Sequence, residues 1–179
     1  ENLIENAEVI TIPGTCPICG GETTRICENE SEVLFCTNPN CEGKLINRLD
    51  HFAGKKGLDI KGLSKATLEK VIDWGWVTNA ADIFSLKDHA EEWYNKPSFG
   101  FKSVDRLLNS IEESKNVRFV DFLSAIGIPL IGKSMSKLIV KYSDTYEDFR
   151  DKVNNKWDFS QIDGIGPEKS ESILTFDYS

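Results

Sequence analysis

The chain has 179 residues, of which 40% are hydrophobic and 28% are charged, and its formal net charge is −8. This composition is ordinary for a globular protein, and the length is sufficient for one large or two small domains with a real core. No apolar stretch approaches the roughly 18 residues that a membrane-spanning helix needs, so a membrane protein is not expected.

The basic residues are unevenly distributed along this acidic chain. Residues 44–70 carry seven basic and three acidic residues, and residues 133–141 carry three basic residues and no acidic one. These two basic islands could be ordinary solvated helix faces. They could also mark contacts with an anionic partner such as a nucleic acid. The negative net charge of the whole chain would by itself argue against such a partner.

Two closely spaced cysteine pairs lie near the start of the chain. Two residues separate Cys16 from Cys19, four separate Cys36 from Cys41, and residues 20–35 join the pairs. Such spacing lets a hairpin return the second pair to the first, and four thiolates make a closed, structural zinc site. The sequence therefore predicts one structural Zn²⁺ per chain bound by these four cysteines, with redox-active cysteines as the alternative.

The segment between the two pairs is predicted to form two short strands, at residues 23–27 and 32–35. A segment this short buries little apolar surface, so the metal should supply much of its folding free energy. We expect Cys27, which lies outside both pairs, to be a small apolar strand residue. We expect His51 and His89 to be surface or core residues rather than metal ligands.

The rest of the chain contains an internal repeat of nearly constant period. Four segments begin at Gly62, Ser98, Leu130 and Gly164, and the number of residues from one start to the next is almost the same each time. Each has an apolar residue at its second position and an apolar pair nine and ten residues after its start. The pattern predicts a helix, a tight turn and a second helix, with the apolar turn residue held between the two helices.

Such repeats are helix-hairpin-helix motifs. Glycines in the turn should allow positive φ and leave backbone N–H groups accessible at the start of the second helix, where phosphate binds. The basic islands flank the first and third hairpins, so we expect DNA contact there, independent of sequence. Phe101 replaces a more usual polar residue in the second hairpin, which should contribute least. The alternative is that the hairpins only pack. The predicted DNA-binding residues are Gly62, Ser64, Lys65, Gly100, Lys102, Gly132, Lys133, Lys137, Gly164, Gly166 and Lys169.

The ordered combination of these motifs resembles the C-terminal part of bacterial NAD-dependent DNA ligases, over residues 10–175. The resemblance depends on Cys-Pro-Ile-Cys-Gly from Cys16, Cys-Thr-Asn-Pro-Asn-Cys from Cys36, His51-Phe52, Leu-Asp-Ile-Lys-Gly-Leu from Leu58, and Phe-Leu-Ser-Ala-Ile-Gly-Ile from Phe122 with the following Gly132.

Together these features predict a mainly α protein: a small four-cysteine zinc finger with a short β hairpin, then an all-α domain of four helix-hairpin-helix motifs. Residues 1–13 would be a linker or the tail of an oligonucleotide-binding domain, and residues 14–50 the zinc finger. Residues 51–179 would be the helical domain, with hairpin pairs at about 51–115 and 116–179.

The resemblance implies a parent enzyme that adenylates a lysine in a Lys-x-Asp-Gly motif from NAD and then seals nicked DNA. The only Asp-Gly here is Asp163-Gly164, preceded by Gln161-Ile162, so the chain itself should neither catalyse nor bind NAD. We expect a monomeric region that clamps nicked or duplex DNA through its phosphates during replication and repair. With no secretory pattern in residues 1–6, we expect it in the bacterial cytoplasm, associated with the nucleoid. Alternatives are a module of another repair enzyme and a zinc-stabilised protein-interaction module.

Overall fold

The computed structural model describes residues 12–28 and 31–178, and the chain divides between Leu45 and Ile46 into two compact units. Most of the predicted N-terminal tail, residues 1–11, lies outside the described residues. No helix in the described part is long and apolar enough to cross a membrane.

The first unit is built on an antiparallel β hairpin. Strand β1 (Thr23–Glu28) pairs with strand β2 (Ser31–Cys36), and Thr23 lies opposite Cys36. Both predicted strands are therefore confirmed. The side chain of Cys27 lies outside the described part, so its expected role stays a prediction.

The first unit has almost no hydrophobic core. Among its described side chains, only those of Cys16 and Cys41 are buried. Large apolar side chains are instead exposed on the strands and on the first cysteine turn, namely Ile18, Ile26, Val33, Leu34 and Phe35. Hydrophobic burial within this unit cannot offset the conformational entropy lost on folding, so another source of stability is required.

The second unit is helical. Its described α-helices, with α1 starting just before the division, are α1 (Glu42–Ala53), α2 (Lys65–Asp73), α3 (Ala90–Tyr94), α4 (Phe101–Glu113), α5 (Phe119–Ala125), α6 (Lys133–Ile139), α7 (Tyr146–Asn154) and α8 (Pro167–Thr175). Three 3₁₀ helices join them, at Ala81–His89, Ser114–Asn116 and Phe159–Gln161. A mainly helical protein with a β hairpin beside a cysteine cluster confirms the predicted fold class.

The second helix of each repeat begins three residues after the predicted repeat start, at Lys65, Phe101, Lys133 and Pro167. Local chemistry explains these starts. The Ser64 hydroxyl caps α2 by accepting a hydrogen bond from the Thr67 N–H at 3.2 Å. Pro167 occupies the first turn of α8, where its missing N–H costs no helical hydrogen bond.

Aromatic and branched side chains fill the helical unit. In its later part, the buried ring of Phe149 contacts the rings of Phe119, Tyr146, Phe159 and Tyr178. The apolar turn residues Leu63, Ile131 and Ile165 are buried, as the repeat pattern predicted, whereas Phe99 is half-buried.

Two details differ from the sequence expectation. The fourth turn follows the 3₁₀ helix Phe159–Gln161 rather than an α-helix, because Asp158 accepts hydrogen bonds from the N–H and hydroxyl of Ser160 and starts a tighter turn. The four-residue spacing of Lys133, Lys137 and Lys141 predicts one helix face, but helix α6 ends at Ile139, so Lys141 does not continue that face.

Candidate functional sites: the cysteine cluster and the hairpins

The four predicted cysteine ligands converge at one point of the first unit. Their sulfur atoms all lie within 4.8 Å of one another. The Sγ atoms of Cys16 and Cys41 are 3.9 Å apart, and those of Cys19 and Cys36 are 3.5 Å apart. Both distances far exceed the ~2.05 Å of a disulfide, and all four cysteines are free.

Local turns aim the sulfurs at this point. The Cys16 N–H donates to the Gly21 carbonyl at 2.7 Å, and Gly20 has a φ of +69°, which glycine adopts readily. The Asn38 side chain accepts a hydrogen bond from the Asn40 N–H at 2.9 Å, which tightens the second turn.

The sulfur arrangement fits a thiophilic metal ion. A tetrahedron with metal–sulfur bonds of ~2.3 Å has sulfur–sulfur edges of about 3.8 Å, close to both of the distances above. Thiolates select zinc and similar soft ions over magnesium and calcium, which take oxygen ligands. The cluster can therefore hold a metal ion whose coordination is complete without water or substrate.

The crowded thiols differ in acidity. The Gly21 N–H, the Asn38 side chain and Cys36 lower the pKa of Cys19 to about 6. Burial and the neighbouring Cys19 raise the pKa of Cys36 to about 12. Four thiols packed this closely cannot all ionise easily without a cation among them, which is the behaviour expected of a metal site.

The four hairpins share one backbone geometry. In each, the N–H of the apolar second residue donates to a carbonyl three residues earlier, at 2.9–3.3 Å: Leu63 to Ile60, Phe99 to Lys96, Ile131 to Ile128 and Ile165 to Ile162. The residue at the first position has positive φ in every case, whether or not it is glycine: Gly62, Ser98, Leu130 and Gly164. The repeat found in the sequence is therefore a repeat of one turn.

The expectation that turn glycines supply positive φ is correct only at the first position. Gly100, Gly132 and Gly166 are the residues that cap the following helices, and their backbones are extended. A Cβ atom added at any of these three would meet nothing within 4 Å. Neither backbone strain nor packing inside the chain requires glycine there.

The loop after α1, which leads to the first hairpin, lies close to the start of α6 in the helical unit. A surface groove of about 400 Å³ is lined by Lys55, from the loop after α1, and by Arg118 and Lys133, from the starts of α5 and α6. One lysine from each basic island therefore lines the same groove, together with Asp59 and Asp121, which the wide separation of the islands along the sequence could not indicate.

An aspartate organises this groove. The Arg118 Nε donates to Asp121 Oδ2 at 2.8 Å, and Lys133 Nζ lies 3.2 Å from Asp121 Oδ1. Burial alone would raise the pKa of Asp121, but hydrogen bonds from Arg118 and Lys133 outweigh it and hold the pKa below its usual value. The carboxylate therefore stays ionised at neutral pH and fixes both cations at the groove.

The connection between the two hairpins runs through His51. Its Nε2 lies 3.1 Å from the Ser124 carbonyl, and the Ser124 hydroxyl donates to the Lys56 carbonyl at 3.4 Å. His51 is thus a packing residue outside the cysteine cluster. His89 stacks on Trp76, with ring centroids 4.7 Å apart, and is likewise outside the cluster.

The remaining predicted lysines differ in their surroundings. Lys65 is exposed and donates to the Asn47 side chain at 3.0 Å. Lys102 is exposed on α4, and Lys137 is exposed on α6. Lys169 is half-buried and donates to the Gly164 carbonyl of its own hairpin at 3.2 Å, so it lies closer to the backbone than the others.

Comparison with known proteins gives the relatives of the chain. It is 36% identical to a DNA ligase of Lachnoclostridium phytofermentans over 178 residues, which are 98% of this chain and 27% of that protein. It is 37% identical to a DNA ligase of Fusobacterium nucleatum over 176 residues, again 98% of this chain and 25% of that protein. No protein-family model matches.

The chain is similar to one region of these two DNA ligases. It spans about a quarter of the length of the relatives it matches. The resemblance carried by the cysteine pairs and hairpins is therefore confirmed at the level of DNA ligases.

Sequence reasoning missed Arg118 and Asp121 in this ligase-related chain. Their spacing of three residues at a helix start is typical of an ion pair on a helix surface, a signal that was present in the sequence. That the pair would also hold Lys133 could not be predicted, because the contact depends on the packing of α5 against α6.

Proposed function

We propose that this chain is the non-catalytic DNA-binding region of an NAD-dependent DNA ligase, which helps to clamp nicked duplex DNA through its phosphates. The observation that carries the proposal is the fourfold repeat of one turn, each copy followed at once by a helix. Such a turn exposes backbone N–H groups at a helix start, where the helix dipole favours a phosphate.

The capping glycines support contact with a partner at the hairpins. Gly100, Gly132 and Gly166 are exposed, and a side chain at any of them would meet no atom of this chain. Neither backbone strain nor packing within the chain requires glycine at these positions. Glycine is explained there if another molecule approaches the backbone closely. We infer that this molecule is the DNA backbone.

Charge supports the first and third hairpins as the main contacts. Lys55, Arg118 and Lys133 line one groove at the start of α6, together with Asp59 and Asp121, and Lys137 is exposed one turn further along α6. Contacts of this kind bind phosphate without reading bases, so the affinity should be independent of sequence and should fall as salt rises. The complete proposed set also includes Gly62, Ser64, Lys65, Lys102, Gly164 and Lys169.

We propose that the metal at the cysteine cluster is zinc and that its role is structural. The four thiolates leave no open coordination position for substrate or water. Residues 14–50 would then form the zinc module and residues 51–179 the helical DNA-binding domain, with hairpin pairs at about 51–115 and 116–179.

We propose that adenylation and strand joining belong to other domains of the parent enzyme, because this chain has no Lys-x-Asp-Gly sequence. NAD would be a substrate of that enzyme and not a ligand of this chain. The proposed setting is the bacterial cytoplasm at the nucleoid, in DNA replication and repair, with the chain acting as a monomer.

Titration of a fluorescent nicked duplex at low and moderate salt tests the proposal. The unaltered chain should bind at low salt and bind more weakly as salt rises. No binding at low salt would contradict direct DNA contact, and partners captured after complete nuclease digestion would favour a protein-interaction module.

Glycine replacements locate the contact. Gly132→Leu and Gly166→Leu should each weaken binding while metal content is retained, because the new side chain occupies space next to the bound phosphate. Gly14→Leu is the matched control, since Gly14 is also an open glycine but lies outside the hairpins. Unchanged binding in both hairpin variants would show that these hairpins only pack.

A further inference from the structure

The third hairpin carries a residue that its own backbone disfavours. The four equivalent turn positions have φ values of +87° at Gly62, +71° at Ser98, +65° at Leu130 and +92° at Gly164. Positive φ is easy for glycine and costly for a residue with a Cβ, most of all when the side chain has no polar group to bond to the backbone. Leu130 is therefore the least expected residue of the four.

The fold offers Leu130 no compensating burial. Its side chain is 54% exposed, whereas Ile128 and Ile131 on either side of the turn are 2% and 3% exposed. The turn directs its two isoleucines into the core and its leucine outward. An apolar side chain that is both strained and exposed indicates a role outside the packing of the free chain.

The turn holds this side chain firmly in place. Pro129 precedes Leu130 and restricts the backbone, and the Ile131 N–H donates to the Ile128 carbonyl at 3.0 Å. The Ser172 hydroxyl, on α8, donates to the Pro129 carbonyl at 2.6 Å. An exposed leucine on a fixed turn is pre-organised for contact, because little conformational entropy remains to be lost on binding.

The helix that follows Leu130 carries two lysines, of which Lys133 is also paired with Asp121. Gly132 leaves the backbone bare two residues later, Lys133 lies at the groove, and Lys137 is exposed on the same helix. A ligand that satisfies both the cations and the leucine must present anionic groups beside an apolar surface. A DNA strand has this character, because phosphates alternate with deoxyribose along its backbone.

We propose that Leu130 is a non-ionic DNA contact that packs against deoxyribose while the cations of the third hairpin bind the flanking phosphates. The proposal rests on the proposed function and adds to it one contact that is independent of charge. The second hairpin has the same Pro-x turn, but its positive-φ residue is the small, polar Ser98, so the proposed contact is specific to the third hairpin.

Two replacements separate the backbone effect from the side-chain effect. Leu130→Gly relieves the strain and should raise Tm by about 2 °C. Leu130→Asn keeps a side chain of similar length, tolerates positive φ, and removes the apolar surface. Both variants should bind a nicked duplex about fivefold more weakly than the unaltered chain, because the burial of a half-exposed leucine on binding is removed.

The dependence of affinity on salt identifies the kind of contact. The slope of log Kd against log salt concentration should be unchanged in both variants, since no phosphate contact is removed. Ser98→Gly is the matched control at the equivalent turn position and should raise Tm without changing Kd.

Equal Kd values for the unaltered chain and both Leu130 variants would overturn the inference. So would a smaller salt slope, which would mean that Leu130 only positions the lysines. Failure of the unaltered chain to bind would instead overturn the proposed function, and capture of an acidic protein that depends on Leu130 after nuclease digestion would assign the side chain to a protein partner.

Discussion

The two units of this chain are stabilised in different ways. In the described part of the first unit, two cysteines are the only buried side chains, and the apolar residues of the β hairpin are exposed. The second unit buries rings and branched side chains from most of its helices, with Trp93, Phe149 and Phe159 fully enclosed. The first unit has a cluster of four sulfur atoms in place of a core, whereas the second removes apolar surface from water.

This difference decides where each unit is vulnerable. A metal site concentrates its stabilising free energy in a few bonds, so the loss of one ligand removes most of it. A hydrophobic core distributes its contribution, so one truncation lowers stability without abolishing the fold. The two units should therefore respond to different perturbations.

Metal removal should have the largest effect, and it should be confined to the first unit. Zinc sites of this kind contribute on the order of 10 kcal/mol, so a strong chelator or Cys41→Ser should unfold the strands. NMR amide spectra should lose dispersion for residues 12–41 and keep it for the helices. Cys27→Ser is the control, because Cys27 lies outside both cysteine pairs. Reduced protein with less than one metal ion per chain would refute the four-cysteine site.

Truncating Phe149 should have the next largest effect, now confined to the second unit. Phe149→Ala leaves a cavity among four contacting rings and should lower the free energy of unfolding by about 3–5 kcal/mol. Chemical denaturation followed by helical circular dichroism measures it, and metal content should not change. Phe101→Ala, at a 64% exposed residue, should change stability by less than about 0.5 kcal/mol. Equal effects of the two truncations would refute the assigned core.

Two glycines of the fourth hairpin should respond differently to the same replacement. Gly164 has positive φ, and an added Cβ would lie 3.0 Å from Leu138 Cδ1, so Gly164→Ala should cost about 1–2 kcal/mol. Gly166 has an ordinary φ and open space, so Gly166→Ala should cost about 0.5 kcal/mol through a weaker cap. Thermal melts of the pair test the turn geometry, and a reversed order would show that it is wrong.

The smallest effect expected is a pH dependence at Asp82. The Thr78 hydroxyl and N–H, followed by the Asn79 N–H, donate to its carboxylate and lower its pKa. A lowered pKa in the folded state means that the stabilisation is complete above the unfolded value of about 3.9 and is lost as pH falls through the folded value. Asp82→Asn should therefore be less stable than the unaltered chain at pH 7.

The stability difference between Asp82→Asn and the unaltered chain should shrink below about pH 4, because the aspartate is then protonated as well. Denaturant melts of both proteins from pH 7 to pH 2.5 would measure it. A difference that stays constant over this range would show that the carboxylate charge is not what stabilises the turn.

The parts of this fold that the sequence predicted are local. The cysteine turns, the hairpin turns and the apolar turn residues depend on a few neighbouring residues, and they appear where the sequence indicated except that Phe99 is only half-buried. The starts of the second helices are equally local, since Ser64 and Pro167 act within one turn of their own helices.

The parts of the fold that were not predicted depend on contacts between residues that are far apart in the sequence, or on local backbone geometry that the residue types do not reveal. That Lys55 and Lys133 line one groove requires the end of α1 and the loop after it to pack on α5, where His51 and Lys56 contact Ser124. The end of α6 at Ile139 was missed because a lysine spacing of four residues suits a longer helix equally well. The positive φ of Leu130 was missed because residue type argues against it.

The most direct test of DNA binding through phosphates is the salt dependence measured with paired lysine variants. Lys133→Gln with Lys137→Gln should reduce the slope of log Kd against log salt concentration by about two for a nicked duplex, one for each phosphate that is no longer neutralised. Lys87→Gln with Lys156→Gln changes the net charge equally at exposed lysines outside the hairpins and should leave the slope unchanged. Equal slopes for the two double variants would contradict binding at the third hairpin.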